Sequence, residues 1–206
     1  IAASNDYDQL ISIFLTQKIY DPDLFTISDS NRETALIISL KTGHKNSIRA
    51  LLENGATPDL PSSNSVYPLH AAVEGNDQDL LQFLLKYPID GNCRNSDGYT
   101  PLLLSSKEGR VIMFETLLLS ERVDINAKTN DGDNIFFFST SKPFTTDKHI
   151  FLLAIQHPDL DLNFQNSEGD TLLHSLVSNL KYFEIGCLLK IIQRFDPNIL
   201  NNNHQT

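Results

Sequence analysis

One motif recurs five times along this chain, every 33 to 37 residues, and that period constrains the fold more than any single residue does. Each copy begins with a tetrad that is Thr-Pro-Leu-His or related to it, and a Leu-Leu pair follows about 17 residues later. The tetrads begin at Thr34, Tyr67, Thr100, Asn134 and Thr171, and the matching pairs begin at Leu51, Leu84, Leu117, Leu152 and Leu188. A period of this length is typical of folds that stack copies of one small unit.

The residues around each tetrad predict a tight turn followed by two short helices. Glycine follows an acidic residue just ahead of three tetrads, at Asp97-Gly98, Asp131-Gly132 and Glu168-Gly169. A residue without Cβ reaches positive φ at little cost, so these pairs predict the tips of hairpin fingers. The threonines that begin tetrads can cap the first helix, and a glycine or a Gly-Asn pair can end it. The second helix carries an apolar stripe that one repeat cannot bury alone, so neighbouring repeats must stack.

This pattern resembles the ankyrin repeat, and the resemblance covers nearly the whole chain. The clearest copy spans residues 95–118, where Asn-Ser-Asp-Gly-Tyr-Thr-Pro-Leu is followed by Lys-Glu-Gly and then by Phe-Glu-Thr-Leu-Leu. The resemblance implies an all-α repeat solenoid, a stack of helix-turn-helix units with projecting β-hairpin fingers, forming a single ankyrin-repeat domain over 1–206. Its expected parts are a partial first repeat at 1–27, repeats at 28–60, 61–93, 94–127, 128–164 and 165–199, and the start of a further repeat or a tail at 200–206.

The ends and the fourth repeat depart from the regular pattern. Neither end shows a polar cap, which predicts a segment that is part of a longer chain. In the fourth repeat Asn134-Ile135 replaces Thr-Pro and three phenylalanines follow, so its first helix is expected to be short or irregular. Phe144 follows Pro143 in a polar stretch, and it is either an exposed apolar handle or a side chain folded back over the core.

The charge balance bears on the kind of partner. The chain has 26 acidic and 16 basic side chains, a net charge of −10, which opposes a polyanion and disfavours direct binding of nucleic acid. Acidic residues concentrate toward the later fingers: Asp97, Asp124, Asp131, Asp133, Asp159, Asp161, Glu168 and Asp170. A basic segment of a partner protein is their natural complement. The alternative is that each of them only forms a turn or a solvated loop.

The sequence indicates neither a membrane segment nor an enzyme site. No run of 18 apolar residues occurs, so membrane insertion is not expected. Cys93 and Cys187 fall in different repeats, which predicts no disulfide and an intracellular location: cytoplasm, nucleus or the cytosolic face of an organelle. The six histidines lack partners at metal-ligand spacing, and no phosphate loop or nucleophile motif is found, so we expect no metal, no cofactor and no catalysis. The resemblance implies that His70 and His174 join neighbouring loops.

Ankyrin repeats as a family bind proteins or peptides along the groove between the fingers and the first helices. The resemblance therefore implies a non-catalytic interaction module. The positions that match usual contact sites include Glu33, Val66, Glu74, Tyr99, Lys107, Asp131, Asp133, Glu168 and Asp170. Phe144 is a further candidate contact residue because it lies in the irregular turn of the fourth repeat. Tyr99 is the expected anchor, because an exposed aromatic offers a large contact area at low entropic cost. The alternative is a finger residue that packs in support of the next repeat.

Two further roles stay open at this point. The repeats also fit a regulatory or localising segment of a multidomain enzyme, or of a small-GTPase exchange factor in endosomal trafficking. They fit a fungal cell-cycle transcription cofactor as well, because the ankyrin regions of such proteins also carry irregular repeats. Domains outside 1–206 would distinguish these roles from that of a scaffold.

Overall fold

The computed structural model describes residues 33–62, 65–136, 148–179 and 181–206. Phe144 and the rest of the irregular stretch after Phe136 lie outside these ranges. Contacts divide the chain into two compact units, Ile1–Ser96 and Asp97–Thr206. Whether the two units form the single domain that the repeats predict stays a prediction.

The described part of the first unit contains four short helices. They are α1 (Ala35–Thr42), α2 (Lys45–Glu53), α3 (Pro68–Gly75) and α4 (Gln78–Leu84). Helix α1 packs against α2 and α3, and α3 packs against α4, so each repeat contributes an antiparallel-type helix pair to the stack. The core residues follow the apolar stripes of the sequence, and Leu84 is completely buried, as its position in the second helix predicts.

The described part of the second unit contains five helices and one turn of 3₁₀ helix. They are α5 (Pro101–Lys107), α6 (Val111–Leu118), α7 (Lys148–Gln156), α8 (Leu172–Ser178) and α9 (Tyr182–Leu189), followed by the 3₁₀ turn Ile192–Arg194. Helices α5 and α6 form one pair and α8 and α9 another, while α7 packs against both α6 and α9. Leu117 of α6 is completely buried, which confirms the predicted register of that repeat.

Local sequence signals set where these helices begin and end. The Oγ1 atoms of Thr34 and Thr100 accept hydrogen bonds from backbone N–H groups three residues on, at 3.2 and 3.3 Å, so both predicted caps are confirmed. Helix α1 ends at Gly43, whose φ is +74°, and α3 ends at Asn76, whose φ is +52°. Both residues thus adopt the left-handed conformation that the sequence predicts at these ends.

The fingers of the second unit are tight turns that share one backbone pattern. In the turn at 129–133 the Thr129 N–H donates to the Asp133 carbonyl at 2.8 Å, and the Gly132 N–H donates to the Thr129 carbonyl at 3.1 Å. The turns at 166–170 and 201–205 repeat both bonds, with His204 at φ +60° where the other turns have glycine. Residues 201–205 thus form a turn of the same type as the two fingers before them.

Candidate functional site

The first side chain of each finger fixes the shape of the turn. Asn166 Oδ1 accepts hydrogen bonds from the backbone N–H groups of Glu168 and Asp170, at 3.0 and 2.8 Å. Thr129 Oγ1 accepts from the Asp133 N–H at 3.1 Å in the same way. The carboxylates of Asp133 and Asp170, at the last position of each finger, are therefore not needed to close their own turns.

Successive fingers touch where glycine faces asparagine. A Cβ atom built on Gly169 would lie 2.5 Å from Asn202 Oδ1 and 2.7 Å from its backbone nitrogen, and one built on Gly98 would lie 2.4 Å from Asn130 Cγ. The contact is reinforced by the Asn202 N–H, which donates to the Glu168 carbonyl at 3.1 Å. Gly98 and Gly169 therefore allow close stacking as well as positive φ.

Tyr99 is half-buried and forms a pair with Lys107. The Lys107 ammonium lies 4.1 Å from the centroid of the Tyr99 ring, a cation–π contact between the finger and the end of α5. The structure thus brings together two of the predicted contact residues. Tyr99 presents only part of its ring to solvent, so it combines features of the anchor and of the packed finger residue.

Two predicted carboxylates, Asp133 and Asp170, line the same small pocket between neighbouring fingers. The apolar part of the pocket comes from Phe136, Phe164 and Leu172. Asp170 Oδ1 accepts a hydrogen bond from Asn201 Nδ2 at 2.8 Å, whereas no cation of the described residues forms an ion pair with Asp133. Asp133 therefore lies beside apolar side chains and has no ion-pairing cation in the described part of the chain.

The environment of Asp133 changes its acidity. Partial burial raises the pKa of the Asp133 carboxyl, and the negative charge of Asp131 raises that pKa further. Asp131 itself and Glu168 are exposed. The four acidic contact candidates of the second unit thus divide into two exposed carboxylates, one hydrogen-bonded carboxylate and one half-buried carboxylate without an ion-pairing cation among the described residues.

The three predicted contact residues of the first unit differ in accessibility. Glu33 is buried, and its carboxylate forms an ion pair with Lys41, so its charge is already compensated within the chain. Val66 is half-buried, and its N–H donates to Ser62 Oγ at 3.2 Å. Glu74 is exposed near the end of α3. Of the three, Glu74 is the exposed one.

A feature that the sequence analysis missed is a series of Asp-x-Asn turns. In each one the aspartate Oδ1 accepts a hydrogen bond from the N–H of the asparagine two residues later, at 2.8 to 2.9 Å. The pairs are Asp90 and Asn92, Asp124 and Asn126, Asp161 and Asn163, and Asp196 and Asn198. For Asp124 and Asp161 this geometry supports the alternative that they are turn formers. The Asp-x-Asn spacing was the signal that could have revealed it.

Two of these asparagines, Asn126 and Asn163, also connect neighbouring repeats. Asn126 Oδ1 accepts from the Asp161 N–H at 2.8 Å, while its Nδ2 donates to the Asp159 carbonyl at 2.7 Å. Asn163 Oδ1 accepts from the Asp196 N–H at 2.7 Å. The backbones of Asp159 and Asp161 are thus held by a structural asparagine.

The histidine of the fifth tetrad has a structural role. The Thr171 N–H donates to His174 Nδ1 at 3.1 Å, so the other ring nitrogen carries the hydrogen and donates to the Gln205 carbonyl at 2.9 Å. His174 therefore ties the start of α8 to the next finger, as the resemblance implies. His70 is buried, with its Nδ1 atom 3.9 Å from the sulfur of Cys93.

The described ranges also bear on metal binding, membrane insertion and thiol chemistry. They contain no group of three His, Cys, Asp or Glu residues that could hold a metal ion, and none of their helices has the length and apolarity to cross a membrane. Both cysteines are free. Burial raises the pKa of the Cys93 thiol to about 12, with further contributions from Asp90 and Asp59, so this thiol is poorly suited to act as a nucleophile.

Family models of ankyrin repeats match residues 51–104 and 97–130. An ankyrin repeat-containing protein of Schizosaccharomyces pombe is 32% identical over 46% of this chain and 44% of its own length. Neurogenic locus notch homolog protein 1 of Xenopus tropicalis is 27% identical over 79% of this chain. The crystal structure of the ankyrin repeat domain of Bcl-3 covers all of this chain and 90% of that domain, with a TM-score of 0.85 at 22% identity. This chain contains ankyrin repeats.

The ankyrin-repeat assignment confirms the predicted all-α repeat solenoid. A second solved structure, that of the ankyrin repeat protein EF0377, covers 92% of this ankyrin chain and 94% of its own, with a TM-score of 0.77. Ankyrin repeats are in general protein–protein interaction modules, and their fold is known as a non-enzymatic scaffold. The chain spans only 6% of the length of the Xenopus tropicalis relative, so the activity and partners of that whole protein do not transfer to it.

Proposed function

We propose that this ankyrin chain binds a protein or peptide along the groove between the fingers and first helices of residues 97–206, without catalysing a reaction. The observation that carries the proposal is Asp133, a half-buried carboxylate beside an apolar pocket, with no ion-pairing cation among the described residues. A carboxylate in that setting gains most from an incoming cation, because the free protein has already met part of its desolvation cost. The partner segment is therefore basic where it meets the fingers.

Three neighbouring features supply the rest of the surface. Exposed Asp131 and Glu168 extend the negative potential and attract a basic segment from a distance. The Tyr99 ring, held by Lys107, provides an aromatic contact at the other end of the row. An aromatic anchor of this kind limits dissociation, whereas charged rims mainly raise the association rate.

The test measures the binding kinetics of a labelled peptide rich in Lys and Arg, with an acidic peptide of the same length as the control. Asp131→Asn combined with Asp133→Asn removes two charges at nearly constant volume and should slow association by about threefold to tenfold at low salt. It should also flatten the dependence of the association rate on salt. Tyr99→Ala should mainly speed dissociation.

Glu115→Gln provides the matched control, because Glu115 is exposed on α6, a second helix, away from the fingers. This variant removes one charge and should leave both rates unchanged. If the finger variants bind the basic peptide with the rates of the parent chain, or if Glu115→Gln weakens binding as much as they do, the partner does not use the finger groove.

We also propose that the protein is intracellular and longer than these 206 residues. Two free cysteines support a reducing location. The exposure of helix α9 supports the proposal that the protein is longer. This helix is apolar around most of its circumference, yet Leu188 is its one buried residue. Tyr182 and Leu189 are 73% and 50% exposed. A helix pair packed on α9 would cover these side chains, as α7 covers α6 in the same unit.

A further inference from the structure

A second groove lies in the first unit, between α2 and α4, the second helices of two adjacent repeats. It is lined by Lys45, Arg49, Asp79, Leu80, Gln82, Phe83 and Lys86. The groove encloses about 270 Å³, somewhat below the roughly 300–1,000 Å³ typical of pockets that engulf small ligands. A surface of this size suits a few side chains of a peptide lying across the two helices.

Three cations are concentrated in this groove, although the whole chain has a net charge of −10. Lys45 and Arg49 are four residues apart and lie on the same side of α2, and both are exposed. Lys45 Nζ lies 2.8 Å from Asp77 Oδ2, so its charge is compensated. Arg49 and Lys86 form no ion pair with any described residue, although Asp79 lines the same groove.

The floor between these two cations is aromatic and apolar. Phe83 is half-buried, and its ring centroid lies 5.6 Å from the Arg49 guanidinium carbon and 5.5 Å from the centroid of Tyr87. Leu80 beside it is buried. Stacking on Phe83 holds the guanidinium close to the surface, where its N–H groups can bind a planar carboxylate.

We propose that this groove docks an acidic peptide segment, with carboxylates that contact Arg49 and Lys86 and an apolar side chain that covers Phe83. Asp79 also lines the groove, which favours a peptide over nucleic acid or a membrane surface. A peptide can place its charges beside the cations alone, whereas a uniformly charged polyanion also meets Asp79 and the field of the whole chain. This surface is separate in sequence from the proposed finger groove and attracts the opposite charge.

The test uses a labelled peptide of about a dozen residues that contains Asp and Glu around one central Phe, titrated into the intact chain. Arg49→Glu combined with Lys86→Glu should weaken binding by at least about tenfold and flatten its salt dependence. A peptide with Gly in place of Phe should bind the parent chain less tightly. Amide shifts in the nuclear magnetic resonance spectrum should be centred on α2 and α4.

Arg122→Glu combined with Lys190→Glu is the matched control, because it makes the same change in net charge at exposed positions of the second unit. This control should leave binding of the acidic peptide unchanged. Asp131→Asn combined with Asp133→Asn should also leave it unchanged, so a failure of the acidic-peptide proposal is distinguishable from a failure of the finger-groove proposal. Absence of saturable binding at low salt, or an equal loss in the matched control, would overturn the inference. So would binding of duplex DNA or phosphatidylserine vesicles, through Arg49 and Lys86, in preference to the peptide.

Discussion

Gly169 occupies a turn position where both the backbone conformation and the available space exclude a side chain. Its φ is +78°, and the nearest atoms to a built Cβ include the backbone nitrogen of Asn202 at 2.7 Å. Gly132 has a similar φ of +86°, but nothing lies within 4 Å of its built Cβ. Two finger glycines that look equivalent in sequence are therefore under different constraints in the structure.

Replacing each glycine by alanine separates the two constraints. Gly132→Ala should cost about 1–2 kcal/mol, the strain of a left-handed residue with a Cβ atom. Gly169→Ala should cost more, because the Asn202 backbone must move and its hydrogen bond to the Glu168 carbonyl must lengthen. Urea unfolding of both variants measures the difference. Equal losses would show that the 201–205 finger does not press on Gly169.

Leu117 and Leu119 offer a second comparison of single residues. Leu117 is 0% exposed and Leu119 is 82% exposed, although they are two positions apart at the end of one helix. Leu117→Ala should cost about 2–5 kcal/mol of unfolding free energy through lost burial and the cavity left behind. Leu119→Ala should stay within about 0.5 kcal/mol of the parent chain. A loss below half a kilocalorie per mole for Leu117→Ala would mean that the register of the repeat is wrong.

At the scale of elements, the finger at 129–133 combines a stable turn with an unfavourable charge. Thr129 closes the turn through its hydroxyl and backbone, while burial raises the pKa of Asp133 above its ordinary value. A carboxyl with a raised folded pKa favours the folded state most when it is protonated, and that advantage is lost as pH rises through the folded pKa. The finger is therefore less stable at neutral pH than its hydrogen bonds alone would make it.

Asp133→Asn should leave the unfolding free energy at pH 7 equal to that of the parent chain or slightly higher, because it removes a desolvated charge. The gain should shrink as pH falls toward the pKa of the carboxyl, where the parent is also neutral at this position. Chemical unfolding at several pH values measures the trend, with exposed Glu115→Gln as the control. Clear destabilisation by Asp133→Asn at pH 7 would show that its carboxylate has a favourable partner.

At the scale of the whole molecule, charge is negative overall but unevenly placed. Twenty-six acidic side chains outnumber sixteen basic ones, and acidic residues recur at the later fingers. Arg49 and Lys86 concentrate positive charge at one groove of the first unit. Net charge should govern long-range encounter with large polyanions, while these local patches should decide which short peptides bind.

The net charge leads to a prediction about nucleic acid. At about 0.15 M salt the chain should show no saturable binding to a labelled duplex of about 20 base pairs below roughly 10⁻⁴ M, because little counterion is released. Fluorescence anisotropy provides the measurement. Tight binding with a steep salt slope, abolished by Arg49→Glu with Lys86→Glu, would show that local charge overrides net charge.

The sequence by itself determined the repeat, its register and the ends of several helices. Thr34, Thr100 and Gly43 act on backbone groups a few residues away, so their roles are visible in a short window of sequence. The burial of Leu84 and Leu117 follows from the apolar period, because a stacked array has one way to hide that stripe. The contact role of the candidate residues stays a prediction.

Only the tertiary structure decided what those positions contribute. Asp170 is held by Asn201 and Asn126 holds Asp161, across separations of 31 and 35 residues, and such partners depend on how successive repeats stack. Glu33 is compensated by Lys41, whereas Asp133 lacks an ion pair in the described part of the chain, although both are acidic residues beside a tetrad. Neighbours supplied by another repeat set burial, charge and hydrogen bonding, and these cannot be read from the local pattern that specifies each repeat.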